Sequence, residues 1–239
     1  MYNKESKPKK FRNFYGRLKG KGLRALQQKL LNDQLEKLSI PAVKYEINPD
    51  RKLIELSDLF KNVTSFSLEI GFGGGEHLVY QAERNPNIGF IGCEPYINGV
   101  AMLAGKLSKL ELTNVRIHPG DVRDLFDVLP DASIDTVFLL YPDPWPKKRH
   151  HRRRFVTSEY LIDLQRVMKT GALLKLATDI PDYVRQSLQE VCKHHFSWTA
   201  TDAQDWRECW SDWMPTRYER KALREGRRPY YLTFEKRES

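Results

Sequence analysis

Cysteine is scarce: Cys93, Cys192 and Cys209 are the only three in 239 residues, widely spaced and with no Cys-x-x-Cys pair. An odd, scattered set excludes a disulfide framework and a zinc knuckle and fits a reducing compartment. The adjacent pairs His150-His151 and His194-His195 lack the spacing of a metal site, so no metal is expected. No window approaches the ~18 consecutive apolar residues of a membrane span, and the basic start is followed by no apolar core of a secretory signal. Internal repeats and low-complexity tracts are absent too. The expectation is a cytoplasmic protein, a monomer or weak homodimer, with no membrane partner.

Charge is present in excess and unevenly placed. Lys and Arg total 40 against 31 Asp and Glu, a net of +9. Residues 1–29 carry +9, residues 147–154 carry +6 and residues 217–228 carry +4, so the remaining chain is acidic at −10. Three basic blocks on an acidic body predict a polyanion-binding surface. Residues 1–21, rich in Lys and Arg and poor in aliphatics, are expected as a mobile basic arm. Residues 22–239 are expected as one domain, opening with a docking helix over 22–38 where Leu23, Leu26, Leu30 and Leu31 recur at helical spacing.

From residue 65 the pattern alternates. Strands are expected at 65–70, 88–93, 115–118, 134–141 and 172–177, with helices at 76–84, 98–110, 158–168 and 182–194 between or after them. Such βαβα alternation predicts a Rossmann-like, doubly wound α/β fold, its sheet mainly parallel and covered by helices on both faces. A last strand near 230–235 is expected to run antiparallel; the fold class expected is a seven-stranded sheet with one antiparallel strand, of which these six are located.

The loop after the first strand reads Glu69-Ile70-Gly71-Phe72-Gly73-Gly74-Gly75-Glu76. A dinucleotide fingerprint is GxGxxG, with a helix N-terminus aimed at a pyrophosphate. Here Gly71, Gly73 and Gly75 make GxGxG, and Glu76 stands where it would repel phosphate, which argues against a dinucleotide-dependent dehydrogenase. Glu94 ends the second strand, where an acid can take both ribose hydroxyls. Asp121 ends the third, where it can accept from an adenine amino group. Asp143 follows the fourth. With Glu69, these acids outline a site for an adenosine bearing an amino acid, S-adenosyl-L-methionine.

Asp143 lies in Tyr141-Pro142-Asp143-Pro144-Trp145-Pro146, followed by Lys147, Lys148, Arg149, His150, His151, Arg152, Arg153 and Arg154. Alternating prolines fix φ and disfavour helix, so Asp143 and Trp145 project from a pre-formed loop beside cations. LEIGFGGGEH, the PDPWPKKRHH block, Thr178-Asp179 and Thr216-Arg217-Tyr218-Glu219 together resemble the bacterial tRNA (guanine-N7-)-methyltransferases from about residue 66 to the C-terminus.

That resemblance implies methylation of the variable-loop guanine at tRNA position 46. It places cofactor contacts at Glu69, Glu94, Asp121 and Asp143, with Asp143 also at the catalytic centre. Guanine-side residues fall at Lys147, Asp179, Thr216, Arg217, Tyr218 and Glu219, and RNA contacts at 149–154. Pro95-Tyr96-Ile97-Asn98-Gly99 departs from the family pattern in lacking a proline just before the glycine. Trp145 is expected as a wall against base or cofactor. Two other readings stay open from the residues: a methyltransferase of another RNA base, since Asp-Pro-Trp is reminiscent of the Asp-Pro-Pro-Tyr loop of adenine methyltransferases, and a non-catalytic RNA-binding module.

Overall fold

The computed structural model describes residues 12–238. Its elements are α1 (Ala25–Leu38), β1 (Ser65–Ile70), α2 (Glu76–Arg84), β2 (Ile88–Cys93), α3 (Ile97–Leu107), β3 (Val115–His118), α4 (Val122–Phe126), β4 (Ile134–Leu140), α5 (Ser158–Val167), β5 (Met168–Thr178), α6 (Pro181–Val191), β6 (Phe196–Trp198), α7 (Gln204–Arg207), α8 (Arg217–Arg224) and β7 (Tyr230–Lys236). Two 3-10 turns, Leu56–Leu59 and Lys148–Arg153, lie between them.

The seven strands are ordered β3-β2-β1-β4-β5-β7-β6. Pairs from β3 through β5 are parallel, and β7 runs antiparallel to both β5 and β6. The fold is the expected one, with a single antiparallel strand. β1 lies beside β4 while the chain winds outward on either side of them, and this topological switch point is where open α/β sheets bind ligands.

Buried strands with aliphatic side chains on both faces need cover on both, and the core accordingly forms two layers. One holds Leu68, Ile70, Ile91, Leu125, Leu161, Leu174 and Tyr183; the other holds Leu31, Phe72, Leu78, Phe90, Leu103 and Ile117. Each such side chain contributes about 1.5–3 kcal/mol by leaving water. α1 joins the second layer through Leu31 and Leu38, and the chain after it covers the free edge of β3, where the Ile40 N–H donates to the Ile117 carbonyl (3.0 Å).

Some expectations shift. β5 begins at Met168 rather than at 172, because Met168 pairs with Ile134, with a register irregularity between that pair and Thr136–Leu173. α4, five residues long, is too short for periodicity to reveal. The basic arm needs correction where it is described; its residues 1–11 lie outside the described residues. The Arg12 guanidinium bridges Asp124 and Asp127 at 3.1 and 2.8 Å. The Leu18 carbonyl accepts from the Ile97 N–H (3.0 Å), and the Asn98 side chain accepts from the Gly20 N–H and donates to the Lys21 carbonyl. Residues 12–21 are therefore docked across the start of α3 and along α4, the two helices that follow Glu94 and Asp121.

Candidate active site

At the carboxyl edge of β1, the glycine loop is held by the acid of the next strand. The Glu94 carboxylate, 7% exposed, accepts from the Gly73 N–H (2.7 Å) and the Tyr96 N–H (2.8 Å). Burial lifts its carboxyl above the ordinary range, Asp143 adds to the lift, and the two N–H groups oppose it. Gly75, at φ +73°, caps α2 in a left-handed conformation that costs glycine little.

Gly99 brings α3 against this loop: a Cβ there would stand 2.2 Å from the Gly73 carbonyl oxygen. Gly99→Ala is therefore expected to lower stability by about 1–3 kcal/mol or more, seen as a fall in thermal midpoint together with weaker cofactor binding. α3 starts at Ile97, so the missing proline does not prevent the helix from opening before Gly99.

Glu69, near the end of β1, is buried and paired with His77 Nδ1 at 2.7 Å. His77 is itself buried, edge-on to Phe138 (4.7 Å) and tilted against Trp213 (5.2 Å). The sequence reading assigned His77 no role; the only signal is a histidine at the second position of the helix that follows the glycine loop. Glu76 opens α2 and is neutralised by Lys106 (3.1 Å) and more distantly by Arg217 (3.9 Å). Its carboxyl lies below the ordinary range because those cations and its own backbone N–H outweigh desolvation.

Asp121 stands at its expected strand end, but its carboxylate caps α4 through the Arg123 N–H (2.9 Å) and pairs with the Arg123 guanidinium (2.5 Å). Arg123 bonds both oxygens, so the expected bond to an adenine amino group would use a lone pair that Arg123 leaves free.

Beyond β4 the backbone enters positive φ at Tyr141 (+50°) and again at Trp145 (+42°), on either side of Asp143. Two non-glycine residues in that region mark a loop held by its surroundings rather than by local preference. Asp143 stays open to solvent, yet partial desolvation raises its carboxyl above the usual range. Trp145, expected as a wall against base or cofactor, packs on Arg153 (5.0 Å) and lies edge-on to His150 (5.9 Å), and Tyr15 covers Arg153 as well (4.8 Å).

The basic block divides. Lys147, Arg149 and Arg152 are exposed, and His150, His151 and Arg153 are half-buried. Arg154, expected among the RNA contacts, is 1% exposed and bonds the Pro144 carbonyl (2.7 Å), Gln186 (2.7 Å) and Asp182 (2.8 Å), whose carboxyl it holds below the ordinary range. It ties the Asp143 loop to α6. Arg154→Ala is expected to cost about 2–4 kcal/mol of stability by stranding those acceptors, read by denaturant unfolding, whereas Arg152→Ala leaves stability unchanged.

On the far side, Asp179 is half-enclosed and paired with Arg227, a partner the sequence did not reveal. Thr216 caps α8 by accepting from the Glu219 N–H (3.2 Å). Glu219 is buried, accepting from Trp213 Nε1 (2.7 Å) and the Tyr231 hydroxyl (2.9 Å). The buried Tyr141 hydroxyl lies beside the same carboxylate without a well-formed hydrogen bond, its pKa raised by burial and then by Glu219. Arg217 and Tyr218 lie over Gly74 and Gly73.

The arrangement thus gathers Glu69, the glycine loop, Glu94 and Thr216–Tyr218 at one end, with Asp143 and Asp179 beyond. Carboxylates and backbone suit a ligand with an ammonium and hydroxyls. Residues 64–232 match the family model described as putative methyltransferase. A tRNA (guanine-N7-)-methyltransferase of Roseobacter denitrificans is 61% identical over 232 residues, 97% of this chain and 98% of that protein.

The chain belongs to the tRNA (guanine-N7-)-methyltransferase family. A family member from Ruegeria pomeroyi is 61% identical over 95% of each chain, and one from Rhodospirillum rubrum is 43% identical over 97% of this chain and 90% of its own. Among solved structures, an antibiotic-related methyltransferase superposes with a TM-score of 0.56 at 18% identity, covering 79% of this chain and 98% of that one. The 16S rRNA methyltransferase KamB gives 0.55 at 16% identity over 77% and 93%. These two share the fold.

Proposed function

We propose that this chain transfers the methyl group of S-adenosyl-L-methionine to N7 of a guanine in tRNA, at position 46 of the variable loop, in the cytoplasm. The observation that carries the reading is Glu94 holding the Gly71–Gly75 loop through the Gly73 N–H, with Glu69 near the end of β1 and Asp143 after β4, at the sheet's switch point, in a chain with full-length relatives of that name.

The residues fit the cofactor. Gly71 faces open space where its Cβ would be, and buried acceptors stand ready for an ammonium (Glu69) and for ribose hydroxyls (Glu94, whose oxygens keep further lone pairs). When bound, S-adenosyl-L-methionine supplies an electrophilic methyl on a sulfonium. Guanine N7 already has a lone pair, so the chain needs no strong base. Its task is to place N7 in line, and such positioning contributes roughly 7–11 kcal/mol in well-oriented reactions.

Methylation leaves the guanine ring cationic, and Asp143 opposes that charge or holds the N1–H and N2–H edge. Asp179, kept in place by Arg227, takes the same edge from the neighbouring strand end. Lys147 holds a phosphate or the guanine O6. Exposing the guanine from folded tRNA costs a few kcal/mol, offset by phosphate contacts from Arg149, Arg152 and Arg153.

A tRNA transcript with 7-deazaguanine at position 46 tests the reading. It should bind normally and accept no methyl; methylation at the ordinary rate would move the target to another atom or position.

A further inference from the structure

α8 carries more positive charge than its fold needs. Glu219 and Ala222 are its buried residues, and its outer face presents Arg220, Lys221 and Arg224, continued by Arg228 after the turn at Gly226. Lys221 reaches Glu225 only at 3.9 Å, and among the described residues no ion pair joins Arg220, Arg224 or Arg228 to an acid.

As a helix, this pattern is unfavourable. Arg217 and Arg220 place cations in the first turn, against the positive end of the helix dipole, and Arg220 and Arg224 are like charges four residues apart, each such term costing a few tenths of a kcal/mol. The helix is nonetheless held firmly: Thr216 caps it, and the Glu219 carboxylate is gripped by Trp213 and Tyr231.

Its location gives the charge a use. The N-terminal end sits over Gly73 and Gly74, after β1, and Arg227 beyond its C-terminal end reaches Asp179, after β5. β4, which delivers Asp143, lies between those strands. α8 therefore bridges the carboxyl edge of the sheet around the reacting position, and it is a separate element from the basic 3-10 turn that follows Asp143.

We infer that the outer face of α8, Arg220, Lys221, Arg224 and Arg228, is a second phosphate-binding surface that holds the backbone of the substrate RNA, an inference that rests on tRNA being the substrate. A stripe of unpaired guanidiniums on a rigid helix suits phosphodiester oxygens, which it meets without base specificity. An acidic protein segment would satisfy the same charge; a site bridging the carboxyl edge beside Asp143 favours RNA.

The test is a full-chain R220Q/R224Q/R228Q variant beside a Lys-substituted control, R220K/R224K/R228K. Affinity for an unmodified tRNA transcript is measured at several salt concentrations, with cofactor affinity measured separately. In the Gln variant the slope of log affinity against log salt should shrink by about 2–3, from roughly 0.7–0.9 per lost phosphate contact. Affinity should fall at least tenfold near ~0.1 M salt, with cofactor binding unchanged and the thermal midpoint level or slightly raised, while the Lys variant keeps most of the slope. An unaltered slope in the Gln variant overturns the inference, as does an equal loss of cofactor affinity, which would make the stripe a support of the fold. Methyl transfer by the parent protein is run alongside: a parent that leaves tRNA unmethylated refutes the proposed function itself, independently of the slope.

Discussion

Replacing Asp143 with alanine should slow single-turnover methyl transfer about 10²–10³-fold, the scale seen when one pre-organised electrostatic group is removed from a reacting centre. Affinity for tRNA should stay within about twofold, because the cations proposed to meet phosphate lie elsewhere, on the 3-10 turn and on α8. Asp143 has no hydrogen-bonded partner of its own in the described structure to lose, and the loop that carries it is braced by Arg154 through the Pro144 carbonyl. The loss therefore falls on the rate.

The same group sets a pH dependence. Desolvation raises the Asp143 carboxyl, so its proton is released at a higher pH than for a free aspartate. The ionised form opposes the charge on guanine, so the single-turnover rate rises with pH through that elevated pKa and levels off above it. In Asp143→Asn that acid limb should be missing. A rate that Asp143→Ala leaves unchanged would remove Asp143 from the centre.

Glu94→Gln should produce the largest effect on cofactor binding. An amide can accept at one end only, whereas Glu94 accepts from the backbone N–H groups of Gly73 and Tyr96 with its two oxygens. One of those N–H groups would face the amide NH₂, and an unsatisfied buried donor costs about 1–3 kcal/mol. On the proposed reading the ribose loses an anionic acceptor besides. Together these predict roughly a hundredfold weaker affinity for S-adenosyl-L-methionine, measured by calorimetry, with tRNA affinity retained. Stability should change less. The Glu94 carboxyl is raised in the fold, so the folded chain holds that proton more tightly than the unfolded one, and ionising Glu94 lowers stability as pH rises through the window between the two pKa values. Glutamine removes that penalty, which partly offsets the mispaired N–H. Unchanged cofactor affinity would mean that Glu94 merely fastens the glycine loop.

Much of this was legible in one dimension. β1, α2, β2 and β3 begin and end where apolar runs meet glycine, proline or polar residues, and the acids closing β2, β3 and β4 stand out because each follows an apolar run. What stayed hidden depends on distant partners. Nothing among the successive cations distinguishes Arg154; Gln186 and Asp182 on α6 make it the buried one. The Asp179–Arg227 pair spans 48 residues, and that Glu219, expected on the guanine side, is enclosed by Trp213 and Tyr231 depends on partners elsewhere in the chain. The neighbours of Trp145 were hidden for the same reason: its ring meets Arg153 and His150, which the sequence presents only as part of a basic run.

The most direct test is to incubate the purified chain with unmodified tRNA and methyl-labelled S-adenosyl-L-methionine, then reduce the RNA and treat it with aniline, which cuts at N7-methylguanine. One label per tRNA and a single cut at position 46 are the predicted result. Label without a cut would place the methyl on another atom, and no label despite binding of both cofactor and tRNA would contradict the account at its centre.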